Sequence, residues 1–261
     1  LDKTSFFLAE LCFRLSQCID LTGVYTNHLI NTLLQLEYDL WVVPAIEIKR
    51  SKGISRGKND QNDAKDISLY SFRNLDKLKL FTIAGNDLQK LKLLHAEREK
   101  TLKALLLIEA TNENKNFISK DILSEVLTIN KVLINGIKKA IKKIENRIKE
   151  IIRVNNELHK QAELIKSVPG IGEQTCLYFI IATKGFTAFK NWRKFACYSG
   201  VVPFQYSSGS SIKGRTKVNH LADKKMKSLL QMCALTAIKY DIQIKEYYYK
   251  KKQEGKNPML I

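Results

Sequence analysis

Four serines, Ser207, Ser208, Ser210 and Ser211, crowd around Gly209 in the run FQYSSGSSIKGR, with Lys213, Arg215 and Lys217 close behind. A glycine has no Cβ, so its backbone can come close to an anion. A hydroxyl beside it can donate to a phosphate or attack one. The cations would then clamp phosphate oxygens. Read by composition alone, the same cluster is a solvated loop and each cation a solvated charge. Three acids form a second group. Asp20 is expected at the carboxyl end of a strand, where open α/β sheets place their active sites. Asp60 and Asp63, in KNDQNDA (58–64), are three apart, which puts both carboxylates on one helix face. Three convergent carboxylates suit Mg²⁺, which keeps positions free for phosphate oxygens and water. In the plainer reading Asp60 caps the helix and Asp63 complements its dipole.

A third feature is Val168-Pro169-Gly170-Ile171-Gly172 between two helical stretches, the pattern of a helix-hairpin-helix turn. Its glycines, Gly170 and Gly172, would leave backbone N–H groups at a helix N-terminus free for a DNA phosphate; a plain helix–helix turn fits as well. Tyr247, Tyr248 and Tyr249 are candidate nucleophiles by type, but no Arg-His-Arg set precedes them, so packing and stacking suit them better. His28 and His95 lie on helical patterns and read as structural, and only His220, near the serine loop, is ambiguous. Five cysteines (Cys12, Cys18, Cys176, Cys197, Cys233) lack CxxC spacing and read as reduced, mostly buried thiols.

The elements that must carry these groups fall into three stretches. Residues 4–17 read as a helix, followed by an apolar step into Asp20. Then come a Thr22-Gly23 turn, a helix over 25–36 with Leu29, Ile30, Leu33 and Leu34 buried, and a strand over 39–44. This is a βαβ-like unit. Residues 44–58 read as a basic loop and 60–70 as a helix. From 87 to 166 the pattern is that of two long helices, with Val132, Ile137, Ile141, Ile144, Ile148, Ile151 and Ile152 at three- and four-residue steps. A helical hairpin or an oligomerising coiled coil over 130–159 fits. Helices over 173–183, 189–198 and 224–240 and a basic tail complete the chain. The fold class is therefore α/β plus α, divided as 1–83, 84–166 and 167–261.

The net charge of +18 over 261 residues is uneven: +1 over 1–83, +6 over 84–166 and +11 over 167–261. Such a gradient points to a polyanion held mainly by the C-terminal part. No apolar run is long enough for a bilayer and no signal peptide is legible, so a cytoplasmic, nucleoid-associated protein is expected.

Taken in order, DLTGVY (20–25), VVPAIEIKRSKG (42–53), KNDQNDAKDIS (58–68), VPGIGEQT (168–175), the block 186–215 and YYYKKKQEGK (247–256) resemble the DEDD insertion-sequence transposases of the IS110 type. These are also described as bridge-RNA-guided recombinases. The resemblance runs along nearly all of the chain. It implies an RNase-H/RuvC-like domain over 1–83 whose acids bind Mg²⁺, a coiled-coil insertion over 84–166, and a C-terminal transposase domain over 167–261. Carried over by position, Asp60 and Asp63 match the third and fourth acids, and Asp20 stands where the family usually has glutamate. Ser208 matches the serine nucleophile. Lys58, Gly170, Gly172, Gly209, Lys213, Arg215 and Lys217 are the expected nucleic-acid contacts. DNA, a structured guide RNA and further copies of the chain are the implied partners. The family's first aspartate has no counterpart, since Asp2 is too close to Asp20. Together with a start at Leu1 and an end at Ile261, this reads as a chain cut at both ends. The expected activity is cutting and rejoining DNA through a serine–phosphate intermediate with Mg²⁺ assistance. The alternatives are an inactive nucleic-acid-binding remnant and a metal-dependent junction resolvase that needs no serine.

Overall fold

The computed structural model describes residues 17–20, 26–53, 59–82, 85–110, 119–208 and 212–258. The chain divides into two compact units, Leu1–Ile83 and Ala84–Ile261.

In the first unit, strands β1 (Gln17–Asp20) and β2 (Leu40–Val43) pair in parallel, with Gln17 opposite Leu40 and Asp20 opposite Val43. Helix α1 (Thr26–Gln35) makes the crossover. Successive strand residues point to opposite faces, and both faces of β2 are covered. Leu40, with Val42 beside it, packs with Ile19 of β1 and with Ile30 and Leu33 of α1. Trp41 and Val43 pack with Ile48 and Tyr70 from the two helices that follow, α2 (Ala45–Ser51) and α3 (Asp60–Arg73). The unbroken apolar run LWVV is what a strand buried on both faces requires.

Three expectations are corrected here. The stretch expected as a loop after Pro44 contains α2; only Ile48 is buried in it, so the sequence shows no apolar period there. Leu29 is 50% exposed, because α1 rests on the sheet through Ile30 and Leu33, with Leu34 partly buried beside them. Gln17 belongs to β1 and not to the expected helix; that helix and the Thr22-Gly23 turn otherwise lie outside the described residues.

The second unit is built on a helical hairpin. Helices α4 (Asn86–Ala110) and α5 (Lys120–Val154) run antiparallel, as the register of their polar contacts shows. Asn155 donates to Asp87 at 3.0 Å, Arg98 pairs with Glu145 at 2.7 Å, and Glu109 with Lys138 at 3.2 Å. Asn155 ends α5 and caps α6 (Asn156–Lys166), its side chain accepting from the Leu158 N–H. The hairpin base, α6 and α7 (Glu173–Ala182) share one core: Leu91, Ile148, Ile151, Leu158, Ala162, Ile165, Cys176, Leu177 and Ile180. Beyond it come α8 (Trp192–Tyr198), an antiparallel hairpin of β3 (Phe204–Ser208) and β4 (Ile212–Lys217), α9 (Lys224–Tyr240) and α10 (Ile242–Gln253). The tail expected after residue 240 is thus a helix over most of its length. Among the described residues, no helix is long and apolar enough to cross a membrane.

Candidate active site

Asp20 ends β1 at the carboxyl edge of the parallel pair, as its place in the sequence led us to expect. Its Oδ1 is buried with no hydrogen-bond partner among the described residues. Burial, and then the charge of the Asp63 carboxylate, raise its pKa. Asp63 lies in the first turn of α3, which Asn59 caps by accepting the Asn62 N–H at 2.8 Å. Asp60 is therefore not the cap; it is an exposed first-turn acid. Among the described residues, no three His, Cys, Asp or Glu side chains converge as metal ligands. Of the three expected acids, Asp20 and Asp63 influence each other through their charges, and the three do not form one cluster.

An orphaned buried carboxylate oxygen beside a second carboxylate is an arrangement that a divalent cation satisfies, and Mg²⁺ is commonly held by one or two carboxylates plus phosphate oxygens. The residues present fit such an ion. Lys52, at the end of α2, bonds Asp66 at 2.5 Å and stands 3.9 Å from Asp63. Its ammonium compensates part of this negative charge, and its pKa is raised by the Asp66 bond. Neither Lys52 nor Asp66 was legible as part of the site. The signal available was Asp66 at the next three-residue step after Asp63.

Ser208 is the last residue of β3 and pairs with Ile212 across the hairpin, with Ser207 opposite Lys213 and Tyr206 opposite Gly214. Gly209, Ser210, Ser211 and Lys58 lie outside the described residues. Lys217 ends β4 opposite Phe204 and is exposed; Arg215 lies on the same strand.

Both ends of this hairpin are pinned. Gly200, before β3, has φ +68, and a Cβ on it would stand 2.7 Å from the Ala222 Cβ. After β4, the Asp223 N–H donates to the Tyr198 carbonyl at 2.8 Å. The Asp223 carboxylate caps α9 through the N–H groups of Lys225 (3.0 Å) and Met226 (2.9 Å). It also accepts the hydroxyls of Tyr178 (2.8 Å) and Tyr198 (3.0 Å). Burial alone would raise the Asp223 carboxyl; the Met226 N–H and the tyrosine hydroxyls outweigh it and hold its pKa below the usual range. Burial, and then Asp223, push Tyr198 up to about 12.

Lys225 extends the network. Its ammonium pairs with Glu99 at 2.8 Å and donates to His95 Nε2 at 3.0 Å. Burial, followed by the Lys225 charge, lowers the His95 pKa. His95 is buried, whereas His28 and His220 are exposed. Sequence reasoning missed Asp223 as an anchor, although Asp before KKMKSLL has the form of a helix start.

Gly170 has φ +92, and a Cβ there would stand 2.6 Å from the Cys233 carbonyl oxygen. The turn needs a glycine because the α9 backbone passes against it. Gly172 is the N-cap residue of α7, with extended backbone at φ −88. Cys18, Cys176, Cys197 and Cys233 are free thiols, and Cys176 and Cys233 are buried. Tyr247 and Tyr249 are exposed on α10.

Two family models match, over separate stretches of the chain. The model described as Transposase, of the DEDD IS110 type, covers residues 14–116, and that of the Transposase IS116/IS110/IS902 family covers 162–249. The chain belongs to this transposase family. Its similarities include the "Pilin gene-inverting protein" of Moraxella bovis, 24% identical over 220 residues, or 83% of this chain and 65% of that protein. The corresponding Moraxella lacunata protein matches over the same shares, also at 24% identity. The "Insertion element IS900 uncharacterized 42 kDa protein" of Mycobacterium paratuberculosis is 33% identical over 99 residues, covering 38% of this chain and 25% of that one. The chain thus spans 65% of the length of the first two relatives.

Proposed function

We propose that this chain cuts and rejoins DNA through a covalent Ser208–phosphate intermediate. The observation that carries the reading is Ser208, in the sequence Ser208-Gly209, at the end of a strand pinned on both sides within a family-matched segment. In the proposed step the Ser208 hydroxyl loses its proton and its oxygen bonds to the phosphorus of a DNA phosphodiester. The bond from phosphorus to one deoxyribose oxygen breaks, and that oxygen takes up a proton. Attack by a hydroxyl of another strand end then reverses the exchange and frees the serine, so no net phosphodiester energy is lost. Lys213, Arg215 and Lys217 neutralise phosphate charge, with Lys58, Gly170, Gly172 and Gly209 as further backbone or side-chain contacts. A Mg²⁺ ion held by Asp20 and Asp63, with Asp60 nearby in sequence, would supply charge neutralisation at the phosphate.

In this reading residues 1–83 are an RNase-H/RuvC-like domain, supported by the parallel pair that ends in Asp20. Residues 84–166 are a coiled-coil segment and 167–261 the transposase domain. The exposed stripe Ile122, Val126, Ile129 and Leu133 on α5 supports association of further copies through the hairpin. A structured RNA is the proposed source of target choice, by analogy with the family. A second reading, a nucleic-acid-binding remnant that does not cleave, is favoured by the absence of a three-acid cluster among the described residues.

Covalent capture separates the two. The chain is incubated with donor DNA, candidate guide RNA and Mg²⁺, denatured, and examined for protein–DNA adducts. An adduct lost in both Ser208→Ala and Asp63→Asn supports the recombinase. DNA binding with no adduct supports the remnant, and cleavage that survives Ser208→Ala supports a serine-independent nuclease.

A further inference from the structure

Between Gln174 and Ala222 the chain has seven Lys or Arg residues and no Asp or Glu. Four of those cations, Lys184, Lys190, Arg193 and Lys194, lie on the short exposed segment that joins α7 to α8 and enters α8. Two aromatic residues on the same segment are turned to solvent: Phe186 is 50% exposed and Trp192 is 72% exposed.

The backbone holds Phe186 in place at a cost. Lys184, Gly185 and Phe186 have φ of 50, 63 and 63, and a bulky residue in the left-handed region is an outlier that the surroundings must enforce. Here the Phe186 N–H donates to Thr183 Oγ1 at 3.1 Å and the Gly185 N–H to the Ile180 carbonyl at 2.9 Å. Between the two exposed aromatics, Phe189 is anchored inward against Phe195 and Tyr198, with ring centroids 5.5 and 5.0 Å apart. Arg193 lies over the Trp192 ring at 5.3 Å and adds a delocalised cation at that position. Neither Phe186 nor Trp192 contributes to the unit's core, so packing does not explain them.

Exposed aromatic faces among cations, on a stretch whose own sequence carries no acid, are the chemistry of single-stranded nucleic-acid recognition; the Glu157 carboxylate, which shares the Gln161 amide with the Gly185 carbonyl, stands at one end of it. Stacking supplies tolerance of base identity and the cations follow the backbone. We propose that the segment from Lys184 to Lys194 is a track for an unpaired DNA strand, with Phe186 and Trp192 stacking on bases and the four cations on phosphates. The choice of DNA over RNA rests on the recombinase reading above, in which strands must part near the broken phosphate.

The test uses the full chain without added metal, titrated with oligo-dT, a mixed-sequence duplex of equal length, and oligo-rU. Trp192 is one of two tryptophans, and the other, Trp41, is 5% exposed, so quenching by a stacked base reports chiefly on Trp192. Oligo-dT is expected to quench it, and in Trp192→Phe the quenching disappears while affinity stays within about twofold. Trp192→Ala and Phe186→Ala should each weaken oligo-dT about tenfold and the duplex by less than about twofold. Equal weakening of both ligands, no weakening, or unchanged emission at saturation would overturn the proposal. Tighter binding of oligo-rU than oligo-dT would overturn the DNA assignment. Because this readout needs no chemistry, oligo-dT stacking without a Ser208 adduct would sink the recombinase alone.

Discussion

A single carboxylate, Asp223, accepts four hydrogen bonds: two N–H groups at the start of α9 and the hydroxyls of Tyr178 and Tyr198. Removing it costs a helix cap, about 1 kcal/mol, and leaves the part-buried Tyr178 hydroxyl without an acceptor while the exposed Tyr198 hydroxyl turns to water. Asp223→Ala should therefore lower unfolding free energy by about 3 kcal/mol in urea titrations, and Tyr178→Phe by about 1 kcal/mol. Loss of no more than a surface-mutation increment would show that the hydroxyls find other partners. His95 sets a pH dependence with a definite sign. Its folded pKa is lowered, by burial first and the Lys225 charge second, so the folded state binds fewer protons than the unfolded one near the ordinary histidine value. Stability is then full above about pH 6.5 and declines as pH falls through that value toward the folded pKa. Melting temperatures at about pH 7.5 and about pH 5.5 should diverge in the wild type and converge in His95→Gln. Little of this network is legible in the sequence. The Asp223 cap has a local signal, whereas the Lys225–His95 contact joins residues 130 apart and leaves no pattern. The places of Asp20 at a strand end and Asp63 in a first helical turn were legible because both are local features; the Lys52–Asp66 pair depended on α2, which was not.

At the scale of elements, legibility followed the length of each apolar period. α5 spans 35 residues, and its Ile141, Ile148 and Ile151 positions, all buried, repeat over many turns. α2 is seven residues long with one buried side chain, too short for any period to emerge. The turn before α7 carried its own signal in its glycines, although sequence could not say what approaches them. The structure shows the Cys233 carbonyl against Gly170. A methyl group there meets backbone, not a flexible side chain, and the residue must also keep φ +92. Gly170→Ala should destabilise the second unit by about 2 kcal/mol or more, measured by urea unfolding, whereas Gly172→Ala, whose Cβ would meet nothing within 4 Å and whose φ is negative, should cost far less. If Gly172→Ala weakens DNA binding without destabilising the fold, its role is the phosphate contact expected of it.

For the whole molecule, the charge gradient rising to +11 over residues 167–261 would make the proposed binding to DNA a counterion-release process. The logarithm of affinity should fall linearly with the logarithm of salt, by about 0.9 for each phosphate neutralised on a duplex. A flat titration between low and physiological salt would remove the polyanion partner altogether. The core that joins the base of the α4–α5 hairpin to α6 and α7 has a mechanical side as well. From Ile148 to the start of α5 at Lys120 a helix extends about 40 Å, with its near end clamped among buried side chains. A tilt of about five degrees at the clamp sweeps the far end through roughly 3–4 Å. A force applied to the far part of α5 would therefore act with leverage on the core at its base, the core that also holds α7, which follows the glycine turn.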